Sequence, residues 1–295
     1  MSAITKTEVI ATLAGSRPTR GRFVQRFRRQ PIAVGALGFL LLVSAMALLA
    51  PWLIPHDPYQ QDLARVLQTP SGEHLLGTDE LGRDVFSRLI MGARVSLLAA
   101  LQGTTLAIAI GLPLGLVAGY VRGRVDGAIM IVTDALMALP ALVLAMAIVA
   151  IWGPSLTNAM VAIGIVTAPR ALRLVRSSVL QIREETFIEA ARSIGTRSIV
   201  IVLRHVLPNV VAPLIVFTAI LAGTVMLMEA GLSFLGLGVQ PPESSWGAML
   251  GTSFRYISRA PLLAIYPGLA IALTVLALNL VGDGIRESIG KKLQK

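Results

Sequence analysis

No cysteine occurs in the 295 residues, which excludes disulfides, thiolate metal centres and cysteine nucleophiles. Histidine is nearly as scarce: His56, His74 and His205 stand too far apart in the chain to suggest a metal cluster, and neither a metal ion nor a cofactor is expected. Charged residues make up 14% and aromatic residues 5%, against 55% apolar residues and a mean hydropathy of +0.74. Such a chain is too apolar for a soluble enzyme of this size and has room for several spans of about 20 residues. A phosphate-binding loop is also lacking, because the nearest stretch, Gly284 to Lys292, has the wrong spacing and no final Ser or Thr. No nucleophile, base and orienting group form a recognisable set, so catalysis is not expected of this chain. The formal net charge of +10 would suit a nucleic acid, but the distribution of the charge suits a membrane and no nucleic-acid partner is expected.

What is present is an all-α pattern of six apolar runs, at about 32–54, 95–120, 128–151, 155–176, 208–229 and 262–281. A basic tail, residues 1–31, precedes them, with Lys6, Arg17, Arg20, Arg22, Arg26, Arg28 and Arg29 against Glu8 alone, as expected of a cytosolic segment held near anionic lipid. The tail 291–295 follows them. Ala45-Met46-Ala47 has the form of a cleavage site, yet the apolar run continues and further spans follow, so the first span is expected to be retained. All of the 26 Lys and Arg fall on the expected cytosolic side except Arg65, Arg83, Arg88, Arg94, Arg255 and Arg259, which places both ends inside. Gly111, Gly115 and Gly119 bare one face of the second span for close packing, within the subunit or at a dimer seam. Asp134 lies inside the third span and is expected to face protein or water, bonded to backbone or serving transport. The fourth span is expected to kink at Pro169 and to carry Arg170, Arg173 and Arg176 toward the cytosol.

The one long polar interval between runs that also carries a legible local design is Glu184 to Asn209. Thr186 followed by Glu189 has the form of a capping box, which starts a short helix over about 186–195. Phe187, Ala191 and Ile194 share one side at helical spacing, Glu185, Glu189 and Arg192 take the other, and Gly195 suits the position just past the end. So short a helix needs a partner surface, and Ala190 and Ala191 are small enough to admit one. From these residues alone, docking on a partner and packing on its own protein or on the membrane remain equally open.

Glu189-Ala190-Ala191, then Gly195, then Leu207-Pro208, resembles the EAA signature of the permease subunits of bacterial ABC importers, with His205 at a position usually held by isoleucine. Two outer stretches, His74-Leu75-Leu76-Gly77-Thr78-Asp79-Glu80-Leu81-Gly82-Arg83-Asp84 and Gly231 to Gly238, resemble the second permease subunit of the dipeptide, oligopeptide and nickel importers; the first also reads as plain turns. The resemblance implies the type I permease fold in the bacterial cytoplasmic membrane, with the short helix as a coupling helix that docks on a separate ATPase subunit. It also implies the partners: a homologous second permease, two ATPase subunits, an external solute-binding protein and membrane lipid. The solute would be a short peptide or a related small molecule. Two other classes stand beside this one, a secondary transporter driven by an ion gradient and a membrane scaffold without transport. The first needs coupling carboxylates at mid-membrane, of which Asp134 is the clear candidate.

Overall fold

The computed structural model describes residues 20–289, so the expected tail residues Lys6 and Arg17 and the segment 291–295 lie outside it. Twelve α-helices cover most of the described residues, which contain no strand. They are α1 (Arg20–Arg28), α2 (Pro31–Leu48), α3 (Ala50–Leu53), α4 (Val85–Val121), α5 (Gly123–Met137), α6 (Ala141–Trp152), α7 (Leu156–Arg183), α8 (Thr186–Ser193), α9 (Ser198–Ile201), α10 (Leu207–Phe234), α11 (Trp246–Phe254) and α12 (Leu262–Ile289). Five segments are long and apolar enough to cross a membrane, and a sixth arises if α5 and α6, bent by 88° at their junction, count as one span.

The bounds depart from the apolar runs in instructive ways. The second span was expected from Val95, but α4 begins at Val85, where the Asp84 carboxylate accepts from the Ser87 backbone N–H at 2.8 Å and so satisfies a donor that the helix leaves free. Its 37 residues make a rod of about 55 Å, longer than the roughly 30 Å hydrocarbon layer, so its polar first turns stand clear of lipid. The expected third span is not one helix, because Pro140 cannot continue a helix from the preceding turn and the chain turns sharply before α6. At Pro169 the opposite holds: α7 runs unbroken through it, with Ala168, Pro169, Ala171 and Leu172 all buried against neighbours that hold the helix together. The sixth span was expected to end at Gly282-Asp283-Gly284, yet α12 continues to Ile289. A Cβ on Gly284 would lie 2.4 Å from the Ala33 Cβ, so this glycine sits where α2 crosses α12.

The core is organised by α4 against α7. Cβ atoms added to Gly111, Gly115 and Gly119 would stand 2.6 Å from the Ala171 Cβ, 2.7 Å from the Leu172 carbonyl oxygen and 2.7 Å from the Val179 Cβ. The bare face therefore packs inside the subunit, and α7 fills it with Ala168, Ala171, Val175 and Val179. In place of lipid contact, α7 is enclosed: 67% of its most apolar window is buried, against 22% for α2. Charged pairs fasten the shorter helix α5 to it. Arg176 donates through Nε and Nη2 to Asp126, both at 2.6 Å, and Arg173 donates to Asp134 at 2.6 Å. Asp134 thus faces protein, as expected, but its carboxylate is held by a guanidinium and not by the expected bond to backbone.

Candidate functional site

The helix α8 lies beside the end of α4 marked by Tyr120, far from the Asp84 end. Its C-terminus closes as the sequence suggests: Gly195 takes φ +77, its N–H donates to the Arg192 carbonyl at 2.9 Å, and the Thr196 N–H donates to the Ala191 carbonyl at 3.1 Å. These two bonds form a Schellman motif, which satisfies carbonyls that the last turn leaves free. The N-terminus corrects the expectation. Thr186 is the first helical residue, Glu185 takes the flanking extended position, and no side-chain bond of a capping box forms. Glu189 remains near the positive end of the helix, where a carboxylate is favourable.

The expected apolar side also divides in two. Ala191 is buried, but its companion inside is Ile188, which was not among the three residues expected to share that side, while Phe187 is 43% and Ile194 82% exposed. Ile188 and Ala191 pack with Val175, Val179, Ile201, Val206 and Val210 in one cluster that also takes in Leu116, Tyr120 and Ile182. Full burial of one Ile contributes about 1.5–3 kcal/mol, which offsets much of the cost of ordering so short a helix. The signal for Ile188 was its spacing to Ala191 together with the apolar residues beyond Gly195. Glu189 and Ala190 are exposed beside Phe187.

Polar contacts lock the same corner. The Arg183 guanidinium donates to the Tyr120 carbonyl at 2.6 Å, and Arg183 and Arg192 stand 5.6 and 5.7 Å from the Tyr120 ring centre, in cation–π range. Arg122 donates to Glu184 at 2.8 Å. Beyond α9 the chain makes one π-helical turn, Val202–Val206, and runs directly into α10, in which Leu207 is the first and Pro208 the second residue. The π turn contains His205, and its Nδ1 is buried without a partner. The corner thus joins α8 to α4 through Arg192 and Tyr120, to α7 through Ile188 and Ala191 packed on Val175 and Val179, and to α10 through α9 and the π turn. This arrangement can act as a lever; it holds no group placed for covalent chemistry.

At the opposite end of α4 the stretch His74 to Asp84 is more than plain turns. Gly77 and Gly82 do adopt φ +79 and +73, but an ionic network also joins Asp79 and Glu80 to Arg83 and Arg88 just beyond them. Asp79 accepts from Arg83 Nε at 2.7 Å and lies 3.3 Å from Arg88 Nε, and Arg83 Nη2 donates to Glu80 at 2.8 Å. Arg88 also donates to the Pro58 carbonyl at 3.2 Å, tying the segment after α3 to α4. In the exposed part of this loop Arg65 hydrogen-bonds Glu73 and holds its carboxyl below the usual carboxylate range. The α11 helix docks here through Trp246, whose indole N–H donates to the Leu89 carbonyl at 2.9 Å.

Comparison with known proteins agrees with this geometry. Residues 111–295 match the family described as binding-protein-dependent transport system inner membrane component, and residues 20–70 match the N-terminal TM domain of oligopeptide transport permease C. The glutathione transport system permease protein GsiD of Escherichia coli O6:K15:H31 is 44% identical over 273 residues, covering 92% of this chain and 90% of its own. The protein of the same description from Pectobacterium atrosepticum is 45% identical over 273 residues, covering 92% and 91%. Among solved structures, the MetNI methionine ABC transporter in an inward-facing conformation superposes with a TM-score of 0.60 at 20% identity, over 69% of this chain and 97% of that one, a likeness of fold. The chain belongs to the binding-protein-dependent transport system inner membrane components: it is a multi-pass permease subunit of an ABC importer of the bacterial cytoplasmic membrane, and works with ATPase and binding-protein partners.

Proposed function

We propose that α8 is the coupling helix of this permease and that Glu189, Ala190, Ala191, Gly195, Leu207 and Pro208 form its coupling motif. One observation carries the reading: Phe187 and Ile194 are exposed on a helix whose other side, Ile188 and Ala191, is anchored in the core. An amphipathic helix that lies on an anionic membrane is rich in Lys or Arg on its polar face. Here that face carries Glu185 and Glu189 against Arg192 alone, which suits a protein groove better than an anionic leaflet. ATP hydrolysis belongs to the separate ATPase subunits in this reading, and the chain supplies a path and a lever.

The solute is a short peptide or peptide-like molecule of the dipeptide to glutathione size. The identity to permeases named for glutathione, together with the N-terminal match to an oligopeptide permease domain, supports that class. A second, homologous permease completes the path, because α5 and α6 leave Ile131, Val132, Leu139 and Val143 exposed beside the 88° bend, a face suited to another membrane helix. Uptake of labelled glutathione and of a labelled dipeptide into cells that express the full system is the test. Uptake of at least one should vanish when the ATPase subunits are inactivated; uptake that persists and follows an ion gradient would make the chain a secondary transporter.

A further inference from the structure

Two of the three histidines, far apart in sequence, meet at the Asp84 end of α4. His74 Nδ1 lies 2.9 Å and His56 Nδ1 3.9 Å from Asp84 Oδ1, and the ligand atoms of the three residues all fall within 4.8 Å of one another. The imidazole centres are 4.8 Å apart, tilted by 40°. Around a tetrahedral zinc ion with bonds of about 2.0–2.1 Å, neighbouring ligand atoms stand about 3.3 Å apart, so sub-ångström to ångström movements would close this set on a metal.

The surroundings are built for the role. Asp84 Oδ2 is already occupied, accepting from the Ser87 N–H at 2.8 Å and hydroxyl at 2.7 Å, which leaves Oδ1 turned toward the histidines. Asp84 is buried at the start of α4 and cannot move away. The backbone of His56 is fixed by its N–H to the Ser87 hydroxyl at 3.3 Å, and that of His74 by its N–H to the Ser71 hydroxyl at 3.0 Å. His56 Nδ1 is nevertheless buried without a hydrogen-bond partner, an uncommon and costly state for a ring nitrogen. Without metal, His74 donates Nδ1–H to Asp84 and its Nε2 faces Arg65 at 3.5 Å. On metal binding the single ring proton of His74 would move from Nδ1 to Nε2, freeing the Nδ1 lone pair for the ion, which also gives His56 Nδ1 its missing partner; the long contact between Nε2 and Arg65 then opens while Arg65 keeps Asp62 and Glu73.

We propose that His56, His74 and Asp84 bind one divalent transition-metal ion of borderline softness, with Zn(II) as the type, and that the ion staples the segment after α3 and the loop around His74 to the first turn of α4. Two imidazoles and one carboxylate suit Zn(II), Ni(II) or Cu(II) and leave a coordination position for water. The site stands apart from the lever at α8 and does not depend on the solute.

The test uses the assembled transporter in lipid nanodiscs, stripped with chelator and dialysed against Zn(II), with bound metal measured by mass spectrometry and binding by calorimetry. The wild type should retain one equivalent per permease chain and gain thermal stability. His56→Gln, which removes a side chain that makes no hydrogen bond among the described residues, should elute as an intact complex and bind at least about 100-fold more weakly, since even outer-shell changes cost up to about that factor. Co(II) bound by the wild type should show the intense visible bands of low-symmetry coordination, and His56→Gln and His74→Gln should lose them. Zinc retained equally by wild type and both variants, or no retention and no Co(II) bands in the wild type, overturns the proposal.

Discussion

Gly115 shows how a single missing side chain decides the packing of this protein. A Cβ there would lie 2.7 Å from both the Leu172 carbonyl oxygen and the Val175 Cβ, so Gly115→Val would have to push α7 off α4 along the best-packed seam of the molecule. Overpacking of this kind costs about 1–3 kcal/mol or more, and the variant should lose thermal stability in detergent by several degrees or fail to accumulate. Gly38→Ala, whose added Cβ meets nothing within 4 Å, is the matched control and should behave as wild type. The glycine spacing was legible in the sequence; which neighbour fills the groove was not, because small residues at four-residue intervals also fit a dimer seam. Ile188 and Phe187 carry the converse lesson. Both are apolar and adjacent, and only the apolar residues of α7 and α10, distant in sequence, determine which one is inside. The pairing of His56 with His74 was hidden for the same reason, since the loop that returns His74 to the end of α2 and α3 leaves no periodic trace.

At the scale of the element, α8 was legible in extent and in its end, and misread at its start. Gly195 announces a left-handed terminus by its type, whereas a Thr-x-x-Glu pattern forms a capping box only if the chain enters the helix at Thr186, and here Glu185 takes that position. Gly195→Val places a β-branched residue at φ +77 in open space, so the penalty is confined to the backbone, about 1–2 kcal/mol. The Schellman bonds should weaken, and hydrogen exchange should show loss of protection at the Gly195 and Thr196 amides while α4 and α7 keep theirs. Unchanged protection at those two amides would mean that the left-handed turn is not strained by the substitution. Proline was the least readable feature of the elements. Pro140 breaks a span and Pro169 does not, and the difference lies in what packs around each, with Pro169 buried and Pro140 exposed.

At the scale of the whole molecule, the membrane class was plain from composition, because an apolar fraction of 55% has no other home in a chain of this length. The order of spans followed from the apolar runs, while their true lengths depended on polar turns that continue α4 beyond the membrane and on the bend that divides α5 from α6. The charge asymmetry predicts that a reporter fused after Lys295 lies in the cytosol and one inserted near Ser244 lies outside; both on one side would contradict the single crossing by α12 that separates them. In the coupling proposed above, motion of an ATPase subunit would enter through Phe187 and Ile194 and leave through Tyr120, Arg183 and the π turn. Its most direct test is solute-stimulated ATP hydrolysis by the complex reconstituted in membranes with binding protein and solute, comparing wild type with Phe187→Ser, Ile194→Ser and Glu189→Ala. These exposed positions should leave insertion and solute affinity of the binding protein intact, and the account predicts that stimulation falls at least about tenfold in the Phe187 and Ile194 variants, the effect of losing about 1.4 kcal/mol at the contact. Stimulation at the wild-type level in all three would contradict it.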